Sequence, residues 1–243
     1  MIIIPDIHGR EFWERPVKEN IGKEHIVFLG DYLDPCEHEG VAQWEVFPRF
    51  EEIISLKKEN PGSVTLLLGN HDLHYVNEDL IGGRFDHYHA ARNRNAIVDN
   101  AGLFQLTYEA VLAGRKYLFT HAGILRGWVD ENRKYFAGRK PEDIATLLNE
   151  YWMKRVYWPR LFTILNNVPY ARLGSSRWGS PIWSDVIDFD DSFYEIADTY
   201  QIFGHTQQEF APIIAKHFAC LDCRKAFLLN DQGEITEIKK RIQ

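Results

Sequence analysis

Five short polar motifs in this chain contain the residue types that bind divalent metal ions in proteins. They are Asp6-Ile7-His8, Gly30-Asp31-Tyr32-Leu33-Asp34, Gly69-Asn70-His71-Asp72, His121-Ala122-Gly123 and Gly204-His205-Thr206. Carboxylate, amide and imidazole groups suit such ions, and two ions that share a carboxylate lie roughly 3.5–4 Å apart. Such a pair activates water for attack on phosphorus. The motifs therefore predict a two-metal site for phosphoester chemistry.

Each motif alone is weak evidence for a metal site. An isolated Asp-x-His is usually a surface pair or a satisfied core pair, and a lone Gly-Asn-His-Asp can be a turn. Here each motif follows a run of apolar residues, where a buried strand would deliver it to one edge of a sheet. We therefore interpret the five motifs together as one site.

The spacing within the first motifs indicates roles for their carboxylates. Asp31 is the natural bridging ligand, because Gly30 before it permits a tight turn off the strand. Asp6 and His8 alternate along an extended segment, so both can face one ion if the loop bends after the strand.

The later motifs supply neutral ligands. Asn70 offers an amide oxygen, which leaves the adjacent His71 free for another role in the reaction. His121 and His205 then complete the ligands of the second ion.

Short apolar runs precede the motifs and predict buried strands at residues 2–5, 26–29, 64–68, 117–120 and 200–203. Helices are predicted between them at residues 42–59, 89–100, 141–155 and 191–199. Because strands alternate with helices, the sequence predicts an α/β core.

The pattern changes after Gly204. Runs at residues 212–215, 217–221, 226–230 and 235–238 predict consecutive strands, with a turn at 230–233, in a second sheet packed on the first.

Residues 128–183 predict a helical excursion covering one side of the site. Its aromatic stretch, 151–183, could be a lid, a partner surface or core, and core is favoured. No linker or repeat is visible, so one domain is predicted over residues 1–243.

Composition excludes several classes of protein. The chain has 243 residues, 45% of them hydrophobic, which is enough for a sizeable core. A net charge of -7 makes nucleic-acid binding unexpected. The N-terminus lacks a signal-peptide pattern and no long apolar segment follows, so we expect a soluble, cytoplasmic protein without a membrane partner. Cys220 and Cys223 form a lone CxxC, which we interpret as buried strand cysteines.

The order of the motifs resembles the calcineurin-like metallophosphoesterase superfamily. Within it, residues 30–34 and the segment Ile182-Trp183-Ser184-Asp185 are more similar to the serine/threonine protein phosphatase branch, which includes diadenosine tetraphosphatases. The resemblance spans residues 6–205. It implies a four-layer α/β/β/α sandwich with two central mixed β-sheets whose loops carry the ligands.

The resemblance also implies roles for individual residues. The first metal would be held by Asp6, His8 and Asp31, and the second by Asp31, Asn70, His121 and His205. His71 matches the general acid that protonates the leaving oxygen, and Asp34 matches the carboxylate that orients it. The two cations would be manganese, iron or zinc, since mixed Asp, Asn and His ligands suit all three.

Two positions depart from the family pattern. Pro35 occupies the position at which the family typically has an arginine that binds phosphate. A phosphate clamp, meaning an arginine that binds the phosphoryl oxygens, would therefore have to come from another loop. The candidate arginines are Arg10, Arg84 and Arg177, with Arg94 and Arg172 also near the site in sequence. Thr206-Gln207 follows His205 in place of a Gly-His-x-His motif, so the first metal would have fewer protein ligands.

The expected function is a dinuclear metal-dependent phosphohydrolase that cleaves a phosphomonoester or phosphoanhydride by direct attack of metal-activated water. Phospho-Ser/Thr proteins and dinucleoside polyphosphates are the leading substrates, and a small phosphorylated metabolite is a third. The alternative from another functional class is a non-catalytic scaffold. Such a protein would be expected to have lost some of its metal-ligating residues. Oligomeric state is not predicted. The remaining histidines near the site, His74, His87 and His89, are expected to be exposed.

Overall fold

Two mixed β-sheets form the centre of the protein. The structure is a computed structural model that describes residues 1–80, 82–136, 138–196 and 198–239. The strands are β1 (Ile2–Ile4), β2 (Ile26–Phe28), β3 (Val64–Leu67), β4 (Phe104–Gln105), β5 (Thr107–Leu112), β6 (Arg115–Thr120), β7 (Thr199–Phe203), β8 (Ile213–Ile214), β9 (Phe218–Cys220), β10 (Phe227–Leu229) and β11 (Ile235–Glu237).

The first sheet has the strand order β11-β10-β1-β2-β3-β4. Strands β1 to β4 run parallel, whereas β10 and β11 are antiparallel to their neighbours. The second sheet has the order β5-β6-β7-β9-β8, with β6, β7 and β9 parallel and β5 and β8 antiparallel at its edges. Each sheet therefore has parallel strands at its centre, whose carboxyl ends meet at one edge.

Eight α-helices are described, together with short 3-10 turns. They are α1 (Glu14–Asn20), α2 (Gln43–Glu59), α3 (Asn70–Leu73), α4 (Ala90–Asp99), α5 (Arg126–Asn132), α6 (Ile144–Met153), α7 (Trp158–Leu165) and α8 (Phe189–Ser192). Among the described residues, no helix combines the length and apolar character needed to cross a membrane.

Side chains along the central strands alternate between two hydrophobic clusters, as the period of a strand requires. In β1, Ile3 lies in a cluster between the sheets that also contains Phe119 of β6 and Ile202 of β7. Its neighbours Ile2 and Ile4 lie in the cluster that contains the buried faces of the helices. This alternation gives a layer of helices, two sheets and a second layer of helices, which confirms the predicted fold class.

The five strands predicted before the motifs are confirmed as β1, β2, β3, β6 and β7, each within two residues at either end. The four strands predicted after Gly204 are confirmed as β8 to β11, but their assignment to one sheet is wrong. Strands β8 and β9 extend the sheet of β6 and β7, while β10 and β11 pair beside β1. Apolar runs show where strands form, whereas long-range packing selects their partners.

The predicted helix at residues 191–199 is also wrong. Helix α8 begins at Phe189 and ends at Ser192, because Phe193 is extended and forms an antiparallel bridge with Leu125. Thr199 already belongs to β7. Strands β4 and β5 were not predicted.

Helices α6 and α7 lie within residues 128–183, and α5 overlaps the start of this range. Trp128, Trp152 and Leu161 are buried in the same cluster as Phe28 of the first sheet. Tyr170 and Leu173 are largely exposed. The buried aromatic side chains of this segment thus lie in the core, which supports the favoured interpretation for 151–183.

Phe50 of α2 stacks between Tyr32, in the loop after β2, and Phe104 of β4, with ring centroids 5.2 and 6.0 Å away. It is 1% exposed, whereas Trp44 on the same helix is 77% exposed. Phe50→Ala should therefore lower the free energy of unfolding by about 3–5 kcal/mol because it leaves a cavity. Trp44→Ala, the control, should change it by less than about 0.5 kcal/mol. Urea denaturation measures both, and equal losses would contradict this packing.

Candidate metal centre

The five motifs meet at the carboxyl ends of the parallel strands. Asp6 follows β1, Asp31 follows β2 and Asn70 begins α3 directly after β3. From the second sheet, His121 follows β6 and His205 follows β7. The two sheets therefore bring their ligands to one place from opposite sides, because the carboxyl ends of parallel strands share an edge.

Asp6, His8 and Asp31 form the first cluster, in which one ligand atom of each residue lies within 4.8 Å of the others. The Nδ1 atom of His8 lies 2.7 Å from the carbonyl oxygen of Leu33. Since a carbonyl only accepts hydrogen bonds, this contact fixes the proton on Nδ1 and leaves the Nε2 lone pair directed at the cluster. Nε2 lies 3.5 Å from Asp31 Oδ2.

Asp31, His121 and His205 form the second cluster and share the Asp31 carboxylate with the first. His121 Nε2 lies 3.1 Å from His205 Nδ1, 3.1 Å from Asn70 Oδ1 and 3.4 Å from Asp31 Oδ2. His121 Nδ1 lies 2.9 Å from the Leu29 carbonyl oxygen, so its proton is fixed there. Lone pairs of nitrogen and oxygen atoms therefore converge on one point, as they do around a cation.

The charges of the site favour a cation. Burial by itself would raise the pKa of Asp31, but neighbouring imidazoles, above all His121, hold it well below its usual range. Burial opposes a charge on His121, yet Asp31 and Asp6 raise its pKa to about 10. Burial lowers the pKa of His8 to about 3 and that of His205 well below its usual value. The carboxylates thus favour a positive charge beside them, and burial keeps His8 and His205 neutral, a combination that fits a divalent metal.

The backbone is strained where it presents these side chains. Nine non-glycine residues of the described chain have positive φ, and five of them lie at the site: His8, Asp31, Asp34, Arg84 and His205. Each such residue costs roughly 1–2 kcal/mol in the left-handed region. Strain at this density indicates that the loops are held by functional geometry.

Two glycines leave room for the ligands. A Cβ atom on Gly69 would overlap the Asp31 carboxylate and contact the His121 ring, and one on Gly204 would overlap the Asp6 carboxylate. The glycines of the third and fifth motifs therefore provide the close backbone approach that the clusters require.

Asp72 holds the site loops together. Its Oδ2 accepts hydrogen bonds from the backbone N–H of Asp31 (2.8 Å) and Gly69 (2.9 Å), and its Oδ1 accepts one from Tyr32 (2.9 Å). A buried carboxylate with three backbone donors fixes the loops after β2 and β3 relative to each other. Asp72 belongs to the third motif, but no local pattern in the sequence indicates this role.

His71 and Asp34 form a pair, with His71 Nδ1 2.9 Å from Asp34 Oδ2. The hydroxyl of Tyr75 donates to Asp34 Oδ1, and His74 Nε2 lies 2.6 Å from Asp34 Oδ2. His74 is completely buried, so its predicted exposure is wrong; it follows α3, which places it under the site. His87 is exposed as predicted, and His89 is half-buried and pairs with Asp86.

The candidate arginines separate into two groups. Arg84 reaches into the site, with Nη2 2.9 Å from His71 Nε2 and Nη1 donating to the Asp34 carbonyl (3.0 Å). Arg10 is buried and binds Glu39 (2.7 Å) and the Asp6 carbonyl. Arg84, Arg10 and Arg172 line a cavity of about 130 Å³ together with His8, Asp31, Asn70, His71 and His205.

Arg177 and Arg94 are not among the residues that line this cavity. The guanidinium of Arg177 lies 4.9 Å from the ring centre of Trp178, and Arg94 is exposed on α4. The structure thus places Arg177 outside the position predicted for it. Sequence proximity to a motif did not show where a long side chain points.

The segment Ile182-Trp183-Ser184-Asp185 lies beside the second cluster. The Trp183 ring contacts the His205 ring edge to face, with centroids 5.7 Å apart. Asp185 pairs with Arg172 at 2.7 Å, and Arg172 also donates to the Thr206 hydroxyl. This segment therefore supports both His205 and a cavity arginine.

Comparisons with known proteins identify the family of the chain. The sequence model described as calcineurin-like phosphoesterase matches residues 1–209, and no curated protein matches the chain. A cold-active protein tyrosine phosphatase has 14% identity and a TM-score of 0.49, covering 98% of this chain and 78% of that chain. A protein serine/threonine phosphatase from Saccharomyces cerevisiae with similarity to human PP5 has 14% identity and a TM-score of 0.49.

The yeast match covers 90% of this chain and 65% of that chain, so this protein spans less than two thirds of it. Likenesses of this size assign neither a substrate nor a branch. The family match, in contrast, extends over most of the sequence and includes all five motifs. This protein belongs to the calcineurin-like phosphoesterase family and is a metal-dependent hydrolase of phosphoester bonds.

Proposed function

We propose that this protein is a dinuclear metal-dependent phosphohydrolase that cleaves a phosphomonoester or phosphoanhydride by direct attack of water. The observation that carries the proposal is the Asp31 carboxylate, which belongs to both ligand clusters. Asp6, His8 and Asp31 would hold one cation, and Asp31, Asn70, His121 and His205 the other. The cations would be manganese, iron or zinc, and when bound they would lower the pKa of a water and neutralise phosphate charge.

The groups of the chain itself supply the remaining chemistry. The Asp34 carboxylate accepts a hydrogen bond from the Nδ1–H of His71, which orients the ring so that Nε2 faces the cavity. When Arg84 binds phosphate instead of Nε2, His71 in its protonated form can give its Nε2 proton to the leaving oxygen. Arg84, whose guanidinium lies beside Nε2, is placed to bind phosphoryl oxygens in place of the arginine absent at Pro35.

Phospho-Ser/Thr proteins are the first substrate class that we propose, on the resemblance of the motifs to that branch. Dinucleoside polyphosphates or a small phosphorylated metabolite are the alternative. The cavity of about 130 Å³ can hold one phosphoryl group while the rest of the substrate lies outside, which is compatible with all three substrate classes. A non-catalytic scaffold is disfavoured because every predicted ligand position is filled. A cytoplasmic location and the absence of nucleic-acid and membrane partners stay proposals from composition.

Metal dependence tests the dinuclear proposal. Metal-stripped protein resupplied with Mn²⁺ should hydrolyse p-nitrophenyl phosphate and at least one of bis-p-nitrophenyl phosphate, a phosphopeptide and diadenosine tetraphosphate. Asp31→Asn should lose both metal content and turnover because both clusters share this carboxylate. Asp231→Asn, in the exposed turn after β10, removes the same charge and should change neither. Full activity without metal would contradict the proposal.

The general acid is tested by comparing leaving groups. His71→Asn should lower turnover of a phosphopeptide by about 10²–10⁴-fold, since its alkoxide leaving group needs a proton. p-Nitrophenyl phosphate, whose leaving group is stable as an anion, should be affected less. Metal content, measured by mass spectrometry, should stay at the wild-type level. The control is His87→Asn, an exposed histidine, and equal losses with both substrates would exclude the role.

The phosphate clamp is tested by a pair of arginines. Arg84→Ala should lower kcat/KM by about 10–100-fold, as expected for a lost charge-assisted contact to phosphate. Arg177→Ala should leave kcat/KM within about twofold, because Arg177 does not line the cavity. Steady-state kinetics with p-nitrophenyl phosphate measure both variants. Should Arg177→Ala lose more activity than Arg84→Ala, the assignment would be wrong.

A further inference from the structure

Asp222 lies at the same sheet edge as the metal ligands. Strands β7 and β9 are parallel neighbours, and Phe203 pairs with Cys220 at their ends. His205 comes two residues after Phe203, and Asp222 comes two residues after Cys220. Asp222 therefore occupies on β9 the position that His205 occupies on β7.

The surroundings of Asp222 hold it in this position. Its backbone oxygen accepts a hydrogen bond from the Gln208 N–H (2.6 Å), and Leu221 N–H donates to Phe203 (2.8 Å). The Cys220 thiol lies 3.3 Å from the carbonyl oxygens of Gly204 and Thr206. The loops after β7 and β9 are thus joined by several hydrogen bonds.

One oxygen of the Asp222 carboxyl group is buried without a partner. The residue is 3% exposed and lines the same cavity as His8, Asp31 and His205. Its Oδ1 has no hydrogen-bond partner among the described residues. An unpaired buried carboxylate is costly, and proteins retain such groups where an ion or a ligand compensates them.

The arginine nearest in the cavity has other partners. Arg10 lines the same cavity as Asp222, but its guanidinium is bound to Glu39 and to the Asp6 carbonyl. This arginine is therefore not free to pair with the Asp222 carboxyl group.

We propose that Asp222 is an additional acidic residue of the metal centre, which serves the cation of Asp6, His8 and Asp31 by accepting a hydrogen bond from its water. It lies outside the cluster of those three residues, whose ligand atoms are within 4.8 Å of one another, and so acts through water. The inference rests on the proposed dinuclear site.

Metal binding tests the inference directly. Metal-stripped wild type should bind two Mn²⁺ ions in isothermal titration calorimetry. Asp222→Asn should weaken one of them by about 10–100-fold, as loss of an outer-shell partner does, and leave the other unchanged. Asp231→Asn is the matched control and should bind as wild type does. Unchanged affinity for both ions in Asp222→Asn would overturn the inference.

Double variants identify which ion Asp222 serves. His205→Ala damages the second cluster, so the ion that remains should be weakened further by Asp222→Asn. Asp6→Asn damages the first cluster, and Asp222→Asn should then add little, since both changes act on one site. The reverse pattern would place Asp222 at the other ion and overturn the inference.

Thermal unfolding separates this role from a structural one. Without metal, Asp222→Asn should have a Tm equal to or above that of wild type, because Asn has the size of Asp and brings no ionisable group into this buried position. Added Mn²⁺ should stabilise wild type more than the variant. A lower metal-free Tm would indicate a structural role and contradict the inference.

These readouts do not depend on turnover. If two ions bind and Asp222→Asn weakens one, yet no phosphoester is cleaved, the proposed function fails while the inference holds. If the enzyme is active and Asp222→Asn leaves the affinity for both metal ions unchanged, the inference alone fails.

Discussion

The shared Asp31 carboxylate is the interaction on which the rest of the site depends. Its Oδ1 accepts a hydrogen bond from the His71 N–H, while Oδ2 lies 3.5 Å from His8 and 3.4 Å from His121. His8 belongs to the first sheet and His121 to the second. The carboxylate can have these neighbours only when the two sheets are packed face to face. The inter-sheet hydrophobic cluster therefore provides the free energy that holds like-charged and lone-pair groups together.

The loops around this carboxylate are strained for the same reason. His8, Asp31, Asp34 and His205 all have positive φ, which a side chain disfavours. Asp72 counters this cost, since its three backbone hydrogen bonds fix the loops in the strained form. The ligands are thus positioned before a cation binds, and little reorganisation is needed during reaction.

The catalytic side chains are organised by a second carboxylate. Asp34 receives contacts from His71, His74 and Tyr75, so it is fixed by two groups besides the proposed general acid. Arg84 closes this arrangement at the cavity, where it contacts the His71 ring. The proposed acid and the proposed phosphate clamp are therefore neighbours in the cavity.

The sequence by itself determined the site strands, the ligand residue types and the family, because a ligand after a buried strand is a local pattern that survives folding. It did not determine which sheet β8 to β11 join, that His74 is buried, or that Arg84 rather than Arg177 reaches the cavity. Asp222 follows an apolar run as the other motifs do, but it stands between Cys220 and Cys223, and one acidic residue there does not by itself indicate a metal site. Strand partners, burial and the direction of long side chains depend on contacts between distant residues, and only the tertiary structure decides these.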